Sequence, residues 1–190
     1  MGNPLVGYFS ETELGEIGLG KVGVNVRIAR STQLLNADNI FIGDNVRIDN
    51  FCTIAPSSSA KLIIGSYVHI CAYVFFNGLA DIIIHDFCSI GNFCQFFSSM
   101  DDFSGNFLTG AVVPRELIGT ISNKIVIKKH TIVAPSCIIL PGVTLNSGTA
   151  IGAHSLVKES TKGFSIYGGV PARYIKARSR NLLNLEKKIK

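Results

Sequence analysis

Between Ile127 and Val157 one aliphatic side chain recurs at every sixth position: Ile127, Val133, Ile139, Leu145, Ile151 and Val157. No helix or ordinary strand produces this, because a helical face repeats every three or four residues and a half-buried strand every two. Four positions after each aliphatic comes a small residue, in turn Thr131, Cys137, Val143, Thr149 and Ser155. A strict six-residue period marks a parallel β-helix, in which each six supplies one short strand and one turn. Three sixes close one triangular coil with the aliphatics on its axis. A lone coil cannot bury that apolar edge or pair its backbone, so coils must stack. The expected fold is therefore all-β, a parallel β-helix.

The period extends over most of the chain. Val22, Ile28 and Leu34 make a first coil, Ile42, Ile48 and Ile54 a second, and Ile64, Ile70 and Phe76 a third. Ile84, Ile90 and Phe96 make the fourth, Ile127, Val133 and Ile139 the fifth, and Leu145, Ile151 and Val157 the sixth. Every residue in excess of three sixes falls between the last six of one coil and the first of the next. All insertions thus leave from one corner of the prism, and the long one is an excursion over residues 97–124. Insertions gathered on one face of a repeat protein commonly mark its binding face. The excursion carries adjacent carboxylates, Asp101 and Asp102, and no period, so it reads as a loop; a loop of this length in a compact domain is usually functional or disordered. Its Phe97, Phe103, Phe107, Leu108 and Leu117 call for packing against something, most naturally a neighbouring subunit.

The flanks carry helical signals. Ser10 followed by Glu13 is a capping-box spacing and predicts a short helix within residues 10–19, stopped by glycines. Beyond the repeat, which spans about residues 22–162, a turn-rich cap precedes a basic C-terminal helix over about residues 172–190, with Leu182, Leu183, Leu185 and Ile189 on one face. At 190 residues, 47% hydrophobic and 16% charged, the chain suits a single domain with one buried core. The formal charge of +5 is largely a basic tail. Such a surface suits an anionic small molecule, and it lacks the interleaved aromatics and bases expected for nucleic acid.

Cys52, Cys88, Cys94 and Cys137 occupy the small slot of the repeat, and no paired-cysteine or histidine spacing accompanies them. They read as compact core residues in a reducing compartment, with no metal site expected. The N-terminal residues show no signal-peptide pattern, and apolar runs such as residues 82–84 are too short to span a bilayer. A cytoplasmic protein is expected.

The segments Pro141-Gly142-Val143, Ile151-Gly152-Ala153 and Gly169-Val170-Pro171-Ala172-Arg173 resemble the C-terminal signature of the left-handed β-helix acyltransferases. That hexapeptide-repeat group includes galactoside, maltose and xenobiotic acetyltransferases, and the likeness runs from about residue 22 to 178. The resemblance implies a homotrimer with sites between subunits, moving an acyl group from acetyl-CoA to an amine or hydroxyl. It places the coenzyme in the groove between prisms near the last coils. There Ala134, Gly152 and Ala153 would let pantetheine approach the backbone, and Lys158 and Arg173 would meet the phosphates.

A hydroxyl acceptor needs a base, and a histidine titrating near neutrality is the usual one. His69 stands at an outward-facing turn and matches an interface histidine of the family, which makes it the first candidate; His85, taken to lie near the corner from which the excursion leaves, is a second, substrate-binding one. His130 and His154 read as surface turn residues. The simple-sugar and xenobiotic acetyltransferases carry a catalytic histidine in the excursion, whereas this chain has Asp101 and Asp102 there. Adjacent carboxylates suit an amino group, as in the N-acyltransferases of nucleotide-linked amino sugars in surface-polysaccharide assembly. Sugar O-acetylation with His69 as base is the alternative. A non-catalytic binding trimer, or a carbonic-anhydrase-like site drawing on His69, His85 and His130, is a third.

Overall fold

The computed structural model describes residues 6–189, and the chain winds as a three-sided column. The first face stacks the strands Lys21–Val22, Ile40–Ile42, Leu62–Ile64, Ile82–Ile84, Ile125–Ile127 and Thr144–Leu145. The second face stacks Arg27–Ile28, Arg47–Ile48, His69–Ile70, Ser89–Ile90, Ile132–Val133 and Ala150–Ile151. The third stacks Gln33–Leu34, Thr53–Pro56, Phe75–Gly78, Gln95–Phe97, Ile138–Ile139 and Leu156–Val157. All these neighbours pair in parallel, each strand with its counterpart one coil away. The result is the expected parallel β-helix.

The repeat positions chosen by period are the axis of the column. Sixteen of the eighteen aliphatic or aromatic repeat residues are buried, the exceptions being Val22 and Leu34 of the first coil. Phe76 and Phe96 stack on this axis with centroids 4.7 Å apart. The small slot is buried as well, with Cys52, Cys88, Cys94 and Cys137 each bonding a backbone carbonyl through sulfur. Burial pushes the Cys88 thiol up to about 12, as expected of a core residue rather than a nucleophile. The open first coil is covered by α1 (Glu11–Glu16), whose Leu14 is buried. Both capping-box bonds of Ser10 and Glu13 are present, and Arg30 fixes Glu13 to the column.

Two corners turn through residues with positive φ. Tyr67, Phe87 and His130 lie at the first–second corner with φ of 58°, 57° and 63°. Phe51, Tyr73 and Phe93 lie at the second–third corner with φ of 60°, 61° and 62°. Such backbone costs a bulky residue about 1–2 kcal/mol. Stacking returns part of it, since neighbouring rings along each corner lie 4.8 to 5.3 Å apart.

Four features differ from expectation. The repeat does not end at about residue 162, because Ser165–Gly168 adds a strand to the second face and turns back antiparallel into Arg173–Ala177. The expected helix over about residues 172–190 is accordingly a strand followed by a short α2, Leu182–Glu186; residue 190 lies outside the described residues. The excursion is rooted in a β-hairpin, Ser99–Asp101 against Thr120–Ser122, rather than being loop throughout. Finally, His130 is buried, not a surface residue, because α2 folds back on it. Glu186 accepts from His130 Nε2 at 2.8 Å and also binds Lys129, while His130 stacks on Phe87.

Candidate active site

The excursion leaves the third face after Phe97 and is fixed at its root by close backbone packing. Gly78 has φ of +150°, and a Cβ there would lie 2.0 Å from Ser98 Oγ, so only glycine admits that serine. The fully buried Ser98 hydroxyl donates to Ala80 O at 2.6 Å, and its backbone carbonyl accepts from Asn123 N–H at 3.0 Å. The hairpin is thereby held over the edge of the third face. Together they enclose a cavity of about 1140 Å³. The ends of the third-face strands, with Asn36, Ser57 and Asn77, form one side; Ser99, Met100 and Asp101 with Arg115, Ile118 and Thr120 contribute the other.

The structure separates the two adjacent carboxylates. Asp101, the last residue of its hairpin strand, lines the cavity. Asp102 turns into the loop, where its carboxylate accepts from Ser104 N–H at 2.7 Å and from the Ser104 hydroxyl. Those bonds hold its carboxyl below the usual carboxylate range. Asp102 therefore shapes the turn, and of the two carboxylates only Asp101 lines the cavity. Sequence reasoning missed Arg115, which lines the same cavity and has no ion-pair partner among the described residues. A guanidinium and a carboxylate in one cavity can together take a ligand that carries both a phosphate and an amine.

The histidines lie elsewhere. His85 follows the first-face strand at the first–second corner, not at the corner from which the excursion leaves, and is exposed. His69 begins a second-face strand, pointing outward as expected, and its Nε2 lies 2.9 Å from Asp49 Oδ2. Neither residue lines the cavity that holds Asp101, so one protomer does not bring His69 and Asp101 together. His154 is the exposed turn residue expected.

The coenzyme candidates are adjacent. Ala134 N–H donates to Ile151 O at 2.9 Å, which sets Ala134 beside Gly152 at the second–third corner, with Ala153 exposed next to it. A Cβ added at Gly152 would come no nearer than 3.5 Å to Tyr167 O, an ordinary contact. Nothing inside the chain requires glycine there, in contrast to Gly91 lower on that corner, where a Cβ would lie 2.6 Å from Pro135 N. Lys158 is exposed, and Arg173 is exposed with Glu159 at 3.6 Å.

No family model matches the chain. The dTDP-4-amino-4,6-dideoxy-D-glucose acyltransferase of Escherichia coli is 39% identical over 179 residues, which span 94% of this chain and 93% of that one. The chain belongs to that acyltransferase family. AntD, an N-acyltransferase from Bacillus cereus solved with dTDP and 3-hydroxybutyryl-CoA, superposes with a TM-score of 0.91 at 41% identity, covering 96% of each chain. A variant of AntD with one serine changed to cysteine has been solved with dTDP-4-amino-4,6-dideoxyglucose and coenzyme A, also at a TM-score of 0.91 and 41% identity. A maltose O-acetyltransferase from Clostridium difficile, 20% identical with a TM-score of 0.56, shares the fold alone. The protein is an acyl-CoA-dependent N-acyltransferase of a nucleotide-linked amino sugar. No helix among the described residues is long and apolar enough to cross a membrane.

Proposed function

We propose that the acceptor is a dTDP-linked 4-amino-4,6-dideoxyhexose, bound in the cavity beneath the excursion. The observation that carries this reading is the pairing of Asp101 with Arg115 in one cavity. Arg115 would take the diphosphate, and Asp101 the amine at the other end of the sugar. The relatives from Escherichia coli and Bacillus cereus, named for or solved with such nucleotides, support the choice. The acyl donor, acetyl-CoA or a longer acyl-CoA, lies along the second–third corner past Ala134, Gly152 and Ala153, with Lys158 and Arg173 toward its phosphates.

The chemistry follows from an amine acceptor. The neutral amine attacks the thioester carbonyl carbon, a C–N bond forms, the C–S bond breaks, and the coenzyme leaves as a thiol. The amine sheds one proton on losing its ammonium form and a second, after attack, to the departing thiolate, which thereby leaves as the thiol. Asp101 attracts the ammonium, orients it and takes a proton, so catalysis rests on positioning more than on a strong base.

A second subunit completes this arrangement. Phe103 and Val112 of the excursion are 81% and 97% exposed, and the first face shows an outward apolar row of Phe41, Ile63, Ile83 and Val126. A homotrimer covers such surfaces and forms clefts between columns. Cysteines without a disulfide suit a reducing cytoplasm, where surface-polysaccharide precursors of this kind would be made.

Thiol release from acetyl-CoA tests the proposal, with dTDP-4-amino-4,6-dideoxyglucose compared against its 4-hydroxy counterpart. Release with the amine and none with the alcohol is expected. Equal release with both, or release with neither, overturns the amino-sugar assignment.

A further inference from the structure

On the second face, away from the excursion cavity, three ligand-type side chains converge from two successive coils. Asp49 follows the strand Arg47–Ile48, and His69 and Cys71 flank Ile70 one coil further on. The carboxylate oxygen, ring nitrogen and sulfur all lie within 4.8 Å of one another. His69 Nε2 is 2.9 Å from Asp49 Oδ2 and 4.0 Å from Cys71 Sγ. Cys71 is also the one cysteine that is not buried, and it stands outside the small core slot that explains the other four.

We propose that Asp49, His69 and Cys71 form a binding site for a divalent transition cation of the zinc class. Tetrahedral zinc, with bonds of about 2.3 Å to sulfur and about 2.0 Å to nitrogen and oxygen, separates S from N by about 3.6 Å and N from O by about 3.3 Å. The separations of 4.0 and 2.9 Å each differ from these by less than about half an ångström, and the carboxylate oxygen and the sulfur, within 4.8 Å of each other, would draw together on the ion. Three protein ligands leave a fourth position for water. Asp49 is already divided between two tasks, since its Oδ1 accepts from Arg47 Nε at 2.7 Å while Oδ2 faces the cluster. That outer bond fixes the carboxylate as supporting partners do around metal ligands. A bound cation would hold Cys71 as the thiolate, its binding displacing the thiol proton. Bound there, the ion would clamp the second coil to the third.

The test uses the full-length protein with zinc or cobalt(II) chloride, before and after chelator treatment. Intact mass spectrometry follows iodoacetamide alkylation of Cys71, with the buried cysteines as silent internal controls. Zinc should slow Cys71 alkylation at least tenfold, and chelator should restore it. Cobalt(II) should bind one equivalent per chain with a thiolate-to-cobalt charge-transfer band. Cys71→Ser should abolish the band, and His69→Asn should weaken binding at least tenfold, each with an unchanged circular-dichroism spectrum. Alkylation indifferent to zinc, absence of the charge-transfer band, or a Cys71 shielded with and without chelator overturns the proposal. None of these readouts depends on acyl transfer, so its failure is distinct from failure of the acceptor assignment.

Discussion

Replacing Asp101 and Asp102 separately by asparagine should split two neighbouring carboxylates that the sequence presents as a pair. Asp101 lines the cavity, whereas Asp102 is spent on Ser104. A carboxylate about 4 Å from an ammonium in a surface cleft gains about 4 kcal/mol at an effective dielectric near 20. Proton transfer by a positioned side chain contributes about 10²- to 10⁴-fold, or about 3–5 kcal/mol, so Asp101→Asn should lower kcat/KM by that factor. Asp102→Asn keeps an acceptor oxygen for Ser104. Little loop order is lost, so its rate should fall by no more than about fivefold. The assay is thiol release with a saturating acyl-CoA and a varied dTDP-linked amino sugar, at about pH 6.5 and about pH 8.5. The Asp101→Asn deficit should shrink at the higher pH, because more of the amine is deprotonated without help. Equal losses in the two variants, or a deficit independent of pH, would refute the assignment of Asp101.

Other expectations follow from the same structure. Phe96→Ala empties a fully buried ring position stacked on Phe76 and should cost about 3–5 kcal/mol, or about 6–20 °C in melting midpoint. Phe93→Ala, at an exposed corner, should cost less than about 1.5 kcal/mol, and equal losses would contradict the axial core. Gly152→Leu should raise KM for acyl-CoA with little change in melting temperature, since the chain itself leaves room there; an unchanged KM would move the coenzyme elsewhere. Lys129, and after it His130, hold the Glu186 carboxyl below its usual range against the opposing effect of desolvation. A depressed folded pKa means that this contribution is complete above the unfolded value of about 4.3 and is lost as pH falls through the lower folded one. The protection of the Leu182–Glu186 amides against hydrogen exchange, relative to the intrinsic rate at each pH, should therefore fall on acidification, and Glu186→Gln should show the same release at neutral pH. An unchanged exchange rate in that variant would contradict the anchor.

Much of this architecture was legible because a six-residue period is written residue by residue. Ile127 and its repeats could be assigned to the axis without any long-range information, and the Ser10–Glu13 cap is equally local. The excess spacing between Phe96 and Ile127 likewise revealed where the excursion leaves. What stayed hidden depends on tertiary return of the chain. His130 looks like a turn residue, and it is one, yet the tail bearing Glu186 comes back from 56 positions away to bury it. Arg115 carries no periodic mark, and only the folded excursion brings it to the cavity that Asn77 and Asp101 also line. The cluster of Asp49, His69 and Cys71 did leave a signal. Arg47 and His69 are one coil apart in register, so Asp49 and Cys71, each two residues further on, must also stack. Reading down the coils at constant offset, rather than along each six, would have found it.

The most direct measurement is a crystal structure of the protein with coenzyme A and dTDP-4-amino-4,6-dideoxyglucose. The diphosphate should lie against Arg115, the sugar amine within hydrogen-bond reach of Asp101, and the coenzyme along Ala134 and Gly152 in a cleft between two copies of the chain. A nucleotide sugar seated away from the excursion cavity, or a coenzyme on another corner of a monomeric column, would contradict the account.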